Sequence, residues 1–408
     1  MAILEFEDMS FEKFENQIRI VFLKNYECFI PIDELTKIGE FEIFPNKIEL
    51  KNINENIAER KFNNLLTRAF QNLTNTITKK KTIYVHKQSK IPLKGTIYFG
   101  VVDRGSDMLD VRPLTGCNLN CVFCSVDEGI SSKKTTDYVV EKDYLIQELK
   151  ELIKFKQKQT EENIPYSVFI NPLGEPLLYP KLVELIADIK KINGIKLISI
   201  MTNAELLTPK KADELINSGL NQLNISIHSL DPEKGKKIMG TNNYSTEKIK
   251  KTILYIREKY PLVKIILAPV FMKKSNEEDI KQIIKFGQDN GCDTGIQNFL
   301  RYKTGRNMLK TKEVKFIKFF EMLKQWETEF KIELIKNYKL TKTPQYDRAF
   351  KKGEIVKAEI IAPGRLPGEV LAKANNVLIT VTDVKNNSGF LKVKIVRIKD
   401  GLYLGIHA

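Results

Sequence analysis

Three cysteines lie within eight residues of the stretch TGCNLNCVFCSVDEG, which runs from Thr115 to Gly129. The chain has 408 residues and five cysteines, so this short stretch holds most of them. Cys117, Cys121 and Cys124 have the spacing C-x3-C-x2-C and follow an apolar run that predicts a β-strand. A cysteine cluster in a reducing compartment more often binds metal than forms disulfides.

Three thiolates on one loop can bind three irons of a 4Fe-4S cluster, because soft sulfur ligands suit iron–sulfur chemistry. A site that is one protein ligand short keeps a metal position open for a substrate or cofactor. The alternative is a structural zinc ion with a remote His or Cys as its fourth ligand. His86, His228 and His407 are the only histidines, and none lies in a local pair spacing, which favours the cluster.

Composition predicts a soluble, globular chain with two or three domains. Hydrophobic residues make up 42% of the sequence and charged residues 29%. No apolar run approaches the roughly 18 residues of a membrane span. The N-terminal sequence is acidic and lacks the basic and apolar regions of a signal peptide, so we expect a cytoplasmic protein.

Positive charge is concentrated in the last quarter of the chain. The formal net charge is +15, and residues 300–352 contain 15 Lys or Arg against 6 Asp or Glu. Residues 353–408 contain 8 against 5, whereas residues 1–299 are nearly neutral. A basic end on a near-neutral body favours a polyanionic partner such as nucleic acid, although a solvated, lysine-rich surface is the alternative.

The middle of the chain alternates between short apolar runs and helix-length amphipathic segments. Apolar residues recur in those segments at steps of three and four, which is typical of helices packed on a sheet. Thr208-Pro209 and Ser245 indicate helix starts, and Gly219 and Gly291 indicate helix ends. Six strands joined by helical crossovers require a parallel sheet, either doubly wound or part of an α/β barrel. The six runs begin at Asp107, Tyr166, Ile195, Leu220, Leu262 and Asp293.

The two ends of the chain have a different character. Near the N-terminus, residues 9–25 and 55–77 are predicted to be helical, and residues 82–89 and 95–102 to be strands. This part reads as an α+β extension to which we assign no chemistry. Towards the C-terminus, an amphipathic helix over 313–332 and a basic, proline-containing linker precede short alternating strands, which predict a small all-β barrel.

The motif CNLNCVFC resembles the defining C-x3-C-x2-C motif of the radical S-adenosylmethionine (radical SAM) superfamily, including aromatic Phe123 before the last cysteine. The resemblance implies a partial (β/α)6 barrel in which Cys117, Cys121 and Cys124 bind a 4Fe-4S cluster. It implies that the free iron chelates the amino and carboxylate groups of SAM. It also implies a reducing electron donor, whose electron cleaves SAM to methionine and a 5′-deoxyadenosyl radical that abstracts hydrogen from a substrate.

Later motifs agree with that family in their order along the chain. NPLGEP ends the second strand where the family has GGEP, with Leu173 in place of the first glycine. The match implies that Gly174 allows close backbone approach and that Glu175 accepts hydrogen bonds from the SAM ammonium. It further implies that Asn203 in IMTNA reaches the SAM carboxylate or ribose, and that Ser226 in NISIHS binds the ribose.

Four further polar or sulfur-containing residues have predicted roles or environments. Gln297 in TGIQNF is expected to face inward from the sixth strand and to contribute to cofactor binding. Cys28 and Cys292 are isolated and cannot bind an auxiliary cluster. Cys292 reads as a buried apolar thiol, with a methyl-carrying or radical-quenching role as the alternative. His228 reads as a packed, hydrogen-bonded histidine rather than a base.

From Gly353 onward the sequence resembles a TRAM domain, a small OB-like barrel attached to several tRNA- and rRNA-modifying enzymes. This resemblance implies a basic groove that binds folded RNA through phosphates and shape, while the target base enters the catalytic barrel unstacked. The basic residues expected to be exposed in this groove are Arg365, Lys373, Lys392, Lys394 and Arg397.

The predicted α/β architecture has four regions: an N-terminal α+β extension (1–104), a radical SAM core (105–300), a basic helical linker (301–352) and a TRAM-like β-barrel (353–408). We expect a radical SAM enzyme that modifies a nucleotide of tRNA or another structured RNA, with an electron donor as partner and no membrane. Two alternatives stay open. One is a radical SAM enzyme acting on a peptide or metabolite, and the other is an RNA-binding protein whose cluster is structural or redox-sensing.

Overall fold

The computed structural model of the protein describes residues 1–160, 162–308, 310–337, 339–386 and 388–408. The helices are α1 (Ile32–Thr36), α2 (Glu55–Phe70), α3 (Lys142–Lys158), α4 (Leu182–Lys190), α5 (Pro209–Ser218), α6 (Pro232–Met239), α7 (Thr246–Lys259), α8 (Glu277–Asp289) and α9 (Phe316–Phe330). In the described part of the chain, none is long and apolar enough to cross a bilayer.

The strands up to the first helical crossover are β1 (Ala2–Glu5), β2 (Met9–Phe14), β3 (Gln17–Phe22), β4 (Tyr26–Pro31), β5 (Phe41–Ile43), β6 (Lys47–Leu50), β7 (Thr74–Asn75), β8 (Lys81–Val85), β9 (Gly100–Asp103), β10 (Met108–Arg112), β11 (Thr115–Gly116) and β12 (Thr136–Val140). The later strands are β13 (Tyr166–Ile170), β14 (Leu173–Gly174), β15 (Ile195–Thr202), β16 (Gln222–Ile225), β17 (Lys264–Leu267), β18 (Val270–Phe271), β19 (Asp293–Thr294), β20 (Gln297–Asn298), β21 (Ile355–Pro363), β22 (Val370–Ala374), β23 (Val377–Thr382), β24 (Gly389–Lys399) and β25 (Leu402–His407).

The central sheet contains the six strands that the sequence predicts. They lie side by side in chain order as β10-β13-β15-β16-β17-β19, all parallel, and β9 is added antiparallel at the edge. A doubly wound sheet reverses its strand order at a switch point, and this sheet does not. The sequential order therefore confirms the predicted barrel-type winding and brings the carboxyl ends of all six strands to one edge.

Local sequence signals explain where several helices begin and end. The Thr208 side chain accepts a hydrogen bond from the backbone N–H of Lys211 at 3.1 Å, and Pro209 occupies the first turn of α5. Gly219, with φ of +120°, ends that helix in a conformation that favours glycine. Ser245 caps α7 in the same way as Thr208 caps α5. These predicted boundaries are confirmed.

A hairpin and a helix are among the local features that differ from the sequence prediction. Residues 9–25 form the β2–β3 hairpin rather than a helix, so that prediction is wrong. Ile18, Ile20 and Phe22 alternate inward along β3, and this period-2 pattern outweighs the helix-like spacing of the preceding phenylalanines. Helix α6, which was not predicted, starts at the Asp231 cap and ends at left-handed Gly240.

The N-terminal region shares a sheet with the core. Its strands are ordered β2-β3-β4-β7-β8-β12, and β12 pairs parallel with β8 although it follows the cysteine loop in sequence. The predicted helix within 55–77 is confirmed as α2. One continuous apolar core extends from the N-terminal strands through the central sheet, so the extension packs tightly on the core.

The C-terminal strands form a closed barrel in the order β21-β22-β23-β25-β24, which confirms the predicted small all-β domain. Two of its strands form backbone hydrogen bonds with the end of the N-terminal extension. The Leu378 N–H donates to the Lys94 carbonyl at 2.9 Å, and the Tyr403 N–H donates to the Gly95 carbonyl at 3.0 Å. A side chain at Gly95 would place its Cβ 2.2 Å from the Leu378 carbonyl oxygen, so this close approach requires glycine.

Candidate functional site

The cysteine loop is held on both sides by backbone hydrogen bonds. On one side, the N–H groups of Asn120 and Val122 donate to the last carbonyls of α6, at 3.1 and 3.0 Å. On the other side, the N–H of Arg306 donates to the Cys124 carbonyl at 2.8 Å, and that of Met308 to the Val122 carbonyl at 3.0 Å. The loop is therefore anchored by α6 and by the residues around 305–308.

The loop faces a cleft of about 480 Å³ at the carboxyl ends of the strands. This is where parallel α/β proteins bind their ligands. The three motif cysteines line the cleft, together with all five residues that the sequence assigns to cosubstrate binding. Those five are Gly174, Glu175, Asn203, Ser226 and Gln297. The structure thus brings together residues that are far apart in the sequence, and their contacts with SAM remain a prediction.

The three thiols fit a cubane cluster better than a single ion. Burial raises the pKa of Cys117 well above its usual value and that of Cys121 to about 12, and neighbouring thiols add to both shifts. Bound metal compensates this cost, because it keeps coordinating thiols deprotonated. In the described residues, no three His, Cys, Asp or Glu side chains are grouped closely enough to hold one ion. In a cube each thiolate binds a different iron, so the thiols need not converge on one point.

Glu175 is buried and almost saturated with hydrogen bonds. Its Oε1 accepts from the Thr202 hydroxyl at 2.6 Å and from the Leu177 N–H at 3.0 Å, while Oε2 accepts from the Asn203 N–H at 2.8 Å. Burial raises the pKa of this carboxyl to about 7, and the three donors limit the rise. A carboxylate has about four acceptor positions, so Oε2 can accept one more hydrogen bond from a ligand.

Asn203, Ser226 and Gln297 occupy different depths of the cleft. The Asn203 amide nitrogen donates to Asn118 Oδ1 at 3.0 Å and lies 3.7 Å from the Cys117 sulfur, so this side chain steadies the start of the cysteine loop. The Ser226 hydroxyl is half-buried, 3.5 Å from the Met201 sulfur. Gln297 is exposed at the mouth.

The glycine of the NPLGEP motif is explained by a backbone contact. β14 pairs parallel with β11, which places Gly174 opposite Gly116. A Cβ on Gly174 would lie 2.1 Å from the Gly116 carbonyl oxygen. The pair joins the residue before Cys117 to the residue before Glu175, so glycine at this position links the cluster loop to the acidic residue.

His228 and Cys292 have the structural environments that the sequence predicts. His228 is buried, its Nδ1 accepts from the Val270 N–H at 3.0 Å, and burial lowers its pKa to about 3. Its ring packs edge-on against Phe123, with centroids 4.5 Å apart. Cys28 and Cys292 are buried thiols outside the residues that line the cleft.

Sequence reasoning missed a buried charge cluster behind the cysteine loop. Its members are Asp127, Glu128, Lys134, Asp137, Arg306 and Arg365. The Lys134 ammonium, fully buried, contacts Glu128 and lies 2.6 Å from Asp137 Oδ1. Burial raises the pKa of Glu128 to about 7, although its two cationic neighbours oppose this rise. The acidic residues Asp127 and Glu128, shortly after the last motif cysteine, could have indicated such a cluster, but nothing in the neighbouring sequence identifies their partners.

Two arginines connect this charge cluster to distant parts of the chain. Arg306 Nε donates to Asp127 Oδ1 at 2.6 Å from 179 residues away. Arg365 Nε donates to Glu128 Oε1 at 3.2 Å, and its Nη2 donates to the Asp127 carbonyl at 3.1 Å. Arg365 belongs to the C-terminal barrel, so that barrel contributes a side chain to the support of the cysteine loop.

This position of Arg365 corrects one sequence expectation. Arg365 was expected to be exposed in an RNA-binding groove, but it is 4% exposed, because it compensates the buried carboxylate of Glu128. Lys373 is half-buried, with its ammonium 3.4 Å from the Lys90 carbonyl. Lys392, Lys394 and Arg397 are exposed on β24. Their role in RNA binding remains a prediction.

Fold and site together define a class of protein: an enzyme with a partial α/β barrel whose first βα loop carries a three-cysteine site beside a cleft that contains the buried carboxyl of Glu175. A family model described as the radical SAM superfamily matches residues 111–287. The chain belongs to the radical SAM superfamily, and its cofactors are a 4Fe-4S cluster and S-adenosylmethionine.

Among its relatives, the protein MJ0103 of Methanocaldococcus jannaschii is 34% identical over 362 residues, which cover 81% of this chain and 82% of that protein. A GTP 3′,8-cyclase of Peptoclostridium acidaminophilum is 28% identical over 247 residues, covering 60% of this chain and 70% of the cyclase. A solved structure, that of Streptococcus suis SuiB, covers 82% of this chain and 71% of SuiB with 16% identity and a TM-score of 0.42.

Proposed function

We propose that this radical SAM enzyme modifies a nucleotide of tRNA or another structured RNA by hydrogen abstraction at carbon. The observation that carries the proposal is a set of exposed positive side chains without ion-pair partners in the described residues, on β24 and beside the cysteine loop. RNA is a dense polyanion, and such surfaces bind it with release of counterions. A cytoplasmic location and a reducing protein as electron donor are part of the proposal.

The residues of the cleft have distinct roles in this proposal. Cys117, Cys121 and Cys124 would hold the cluster, which together with SAM supplies a 5′-deoxyadenosyl radical that takes a hydrogen atom from the substrate. The free acceptor position of Glu175 would bind the ammonium of SAM, with a charge-assisted hydrogen bond. Asn203 would fix the cysteine loop against that ligand, and the buried walls would exclude water from the radical.

The segment beside the cysteine loop supports a polyanionic substrate. Its exposed cations include Arg301, Lys303, Lys315 and Lys318. Backbone hydrogen bonds from residues 306 and 308 attach this segment directly to the cysteine loop. A phosphate held by these cations would therefore lie near the mouth of the cleft, where an unstacked base can enter.

The barrel supports the same class of substrate. Lys392, Lys394 and Arg397 point outward from β24, while the intervening Val393 and Ile395 are buried. The barrel is fixed to the core by Arg365 and by backbone hydrogen bonds, so RNA bound on it has a defined position relative to the cleft. An open basic face on a firmly docked barrel suits recognition of phosphates and shape.

Nucleoside mass spectrometry of RNA from a strain that lacks the gene tests the proposal. We expect the loss of one modified nucleoside and its return when the gene is restored. An unchanged nucleoside profile would overturn the RNA assignment. Deletion of residues 353–408 is a poor test, because it would also remove Arg365 from buried Glu128; point changes on β24 avoid this problem.

A second candidate substrate is a free purine nucleotide. It is favoured by the similarity to GTP 3′,8-cyclases, at 28% identity over 60% of the chain. Anaerobic assays with dithionite, SAM and either GTP or tRNA would separate the two. Formation of 5′-deoxyadenosine stimulated by GTP alone favours the nucleotide, and stimulation by tRNA alone favours RNA.

The sequence also left open an RNA-binding protein whose cluster is structural or redox-sensing. Such a protein would cleave no SAM. The dithionite-reduced protein should form 5′-deoxyadenosine and methionine if it is the enzyme proposed here. Absence of both products from protein with a full complement of iron would favour the binding protein.

A further inference from the structure

We propose that one face of the C-terminal barrel binds an unpaired nucleotide of the RNA substrate together with its flanking phosphates. This inference rests on the proposed function and adds a specific site to it. The face, here called the β21/β24 face, is formed by Ile355, Lys357 and Glu359 of β21 and by Phe390, Lys392 and Lys394 of β24. It lies on the barrel, apart from the residues that line the cleft.

Strand register places these side chains on one surface. Lys357 pairs with Lys392, Ile355 pairs with Lys394, and Phe390 pairs with Glu359, all across antiparallel strands β21 and β24. Directly paired residues point to the same side of a sheet. The alternate positions of these strands, including Ala358, Leu391 and Val393, are buried inside the barrel, so the face points outward.

The positive charges on this face repel one another. Lys357 and Lys392 lie directly opposite, and like charges in that arrangement destabilise a sheet. Lys394 adds a third cation two residues along β24. Glu359 is the acidic residue on the face, and it forms no ion pair with these lysines in the described part of the chain. A bound anion between the lysines would remove the repulsion.

An aromatic ring is exposed among these lysines. Phe390 at one end of the face is 65% exposed and Ile355 at the other end is 59% exposed, although both lie in regular strands. The Lys357 ammonium lies 4.7 Å from the centroid of the Phe390 ring and so fixes the ring beside the cationic positions. Stacking of a base on such a ring, with phosphates on adjacent lysines, is the usual arrangement in single-strand binding.

This combination favours RNA over other partners. The centre of a protein interface is depleted in lysine, whereas lysines occupy the centre of this face. A membrane-binding amphipathic helix has its basic and apolar residues on opposite faces, whereas here they lie together on one face of a sheet. One exposed aromatic ring beside three cations matches a single base and the phosphates that flank it in a nucleic-acid strand.

Binding of labelled, unfractionated tRNA and of heparin to the full-length holoprotein tests the inference. Phe390→Ala should weaken tRNA binding about 5- to 150-fold, as one lost stacking contact predicts, and should leave heparin binding unchanged, because heparin has no bases. Phe390→Trp should retain wild-type affinity for tRNA. The double variant Lys357→Ala/Lys392→Ala should bind both tRNA and heparin more weakly. For tRNA, the slope of log binding constant against log salt concentration should become shallower by the amount expected for about two phosphate contacts.

Matched controls are Phe14→Ala, which removes an exposed phenylalanine of the N-terminal hairpin, and Lys251→Ala, which removes an exposed lysine of α7. Both should bind tRNA like the wild type. Wild-type affinity of Phe390→Ala for tRNA, or equal losses for tRNA and heparin, would overturn the stacking site while the wild type still binds tRNA. If the wild type itself fails to bind tRNA, the proposed function fails with it.

Discussion

Replacement of Gly174 by alanine tests how the two halves of the cleft are joined. The added Cβ at this position would lie 2.1 Å from the Gly116 carbonyl oxygen and 2.8 Å from the Gly116 carbonyl carbon and nitrogen. These are backbone atoms, so no side chain can rotate away. The β11–β14 pair must open by about 1.3 Å to reach an ordinary contact of 3.4 Å.

The free-energy cost follows from the contacts that the opening breaks. Overpacking of this kind costs about 1–3 kcal/mol. The Glu175 N–H, which donates to the Gly116 carbonyl at 2.9 Å, would lose its partner in a buried place, at a further cost of about 1–3 kcal/mol. We therefore expect a total destabilisation of about 2–6 kcal/mol, concentrated between Cys117 and Glu175.

The assay combines denaturant unfolding with iron analysis and SAM binding by equilibrium dialysis. Gly174→Ala should lower the unfolding midpoint, the iron content and the affinity for SAM. Gly295→Ala is the matched control, because its nearest neighbour is a side-chain methyl of Ile266 at 3.1 Å, and its stability should stay within about 1 kcal/mol of wild type. The reasoning is refuted if Gly174→Ala keeps wild-type stability, iron and SAM affinity.

Three further changes test individual contacts. Glu175→Gln should raise the Kd for SAM about 5- to 150-fold at unchanged iron content, because the amide nitrogen of glutamine would face the backbone donors that bind the carboxylate. In the wild type, SAM affinity should rise with pH through about 7 as the Glu175 carboxyl ionises. In the variant, SAM affinity should not rise over this pH range. Arg365→Ala should destabilise the protein by about 2–4 kcal/mol in denaturant unfolding, because buried Glu128 would keep only one of its two cationic neighbours. Arg365→Lys should destabilise the protein less. Equal unfolding midpoints for the wild type and both variants would contradict this reasoning. Cys124→Ser should abolish a stable cluster, whereas Cys292→Ser should retain full iron content; iron loss from the second variant would show that the ligand set is wrong.

Regular elements with a clear apolar period were predictable from the sequence. The six parallel strands and the helices between them follow from patterns of two and of three to four residues, because a buried face imposes its period on the chain. The β2–β3 hairpin was mistaken for a helix, because Phe11 and Phe14 fit one period and Ile18 and Ile20 the other. Only the pairing of the two strands decides between them.

The candidate site was predictable where a motif carries the chemistry. The cysteine spacing and the order of the later motifs identified eight residues that line one cleft. Contacts of those residues with one another were not predictable. The pairing of Gly174 with Gly116, and the saturation of Glu175 by three protein donors, depend on how separate strands end beside each other.

The sequence alone determined the class of chemistry, because C-x3-C-x2-C places three soft ligands on one loop whatever the rest of the chain does. It also determined the six parallel strands of the central sheet, since their periodicity is local. The tertiary structure alone decided that Arg365 supports the cysteine loop from the barrel, because a buried carboxylate such as Glu128 takes whichever cation the packing brings near it. It likewise decided which basic residues face solvent, since strand register rather than composition selects the exposed side.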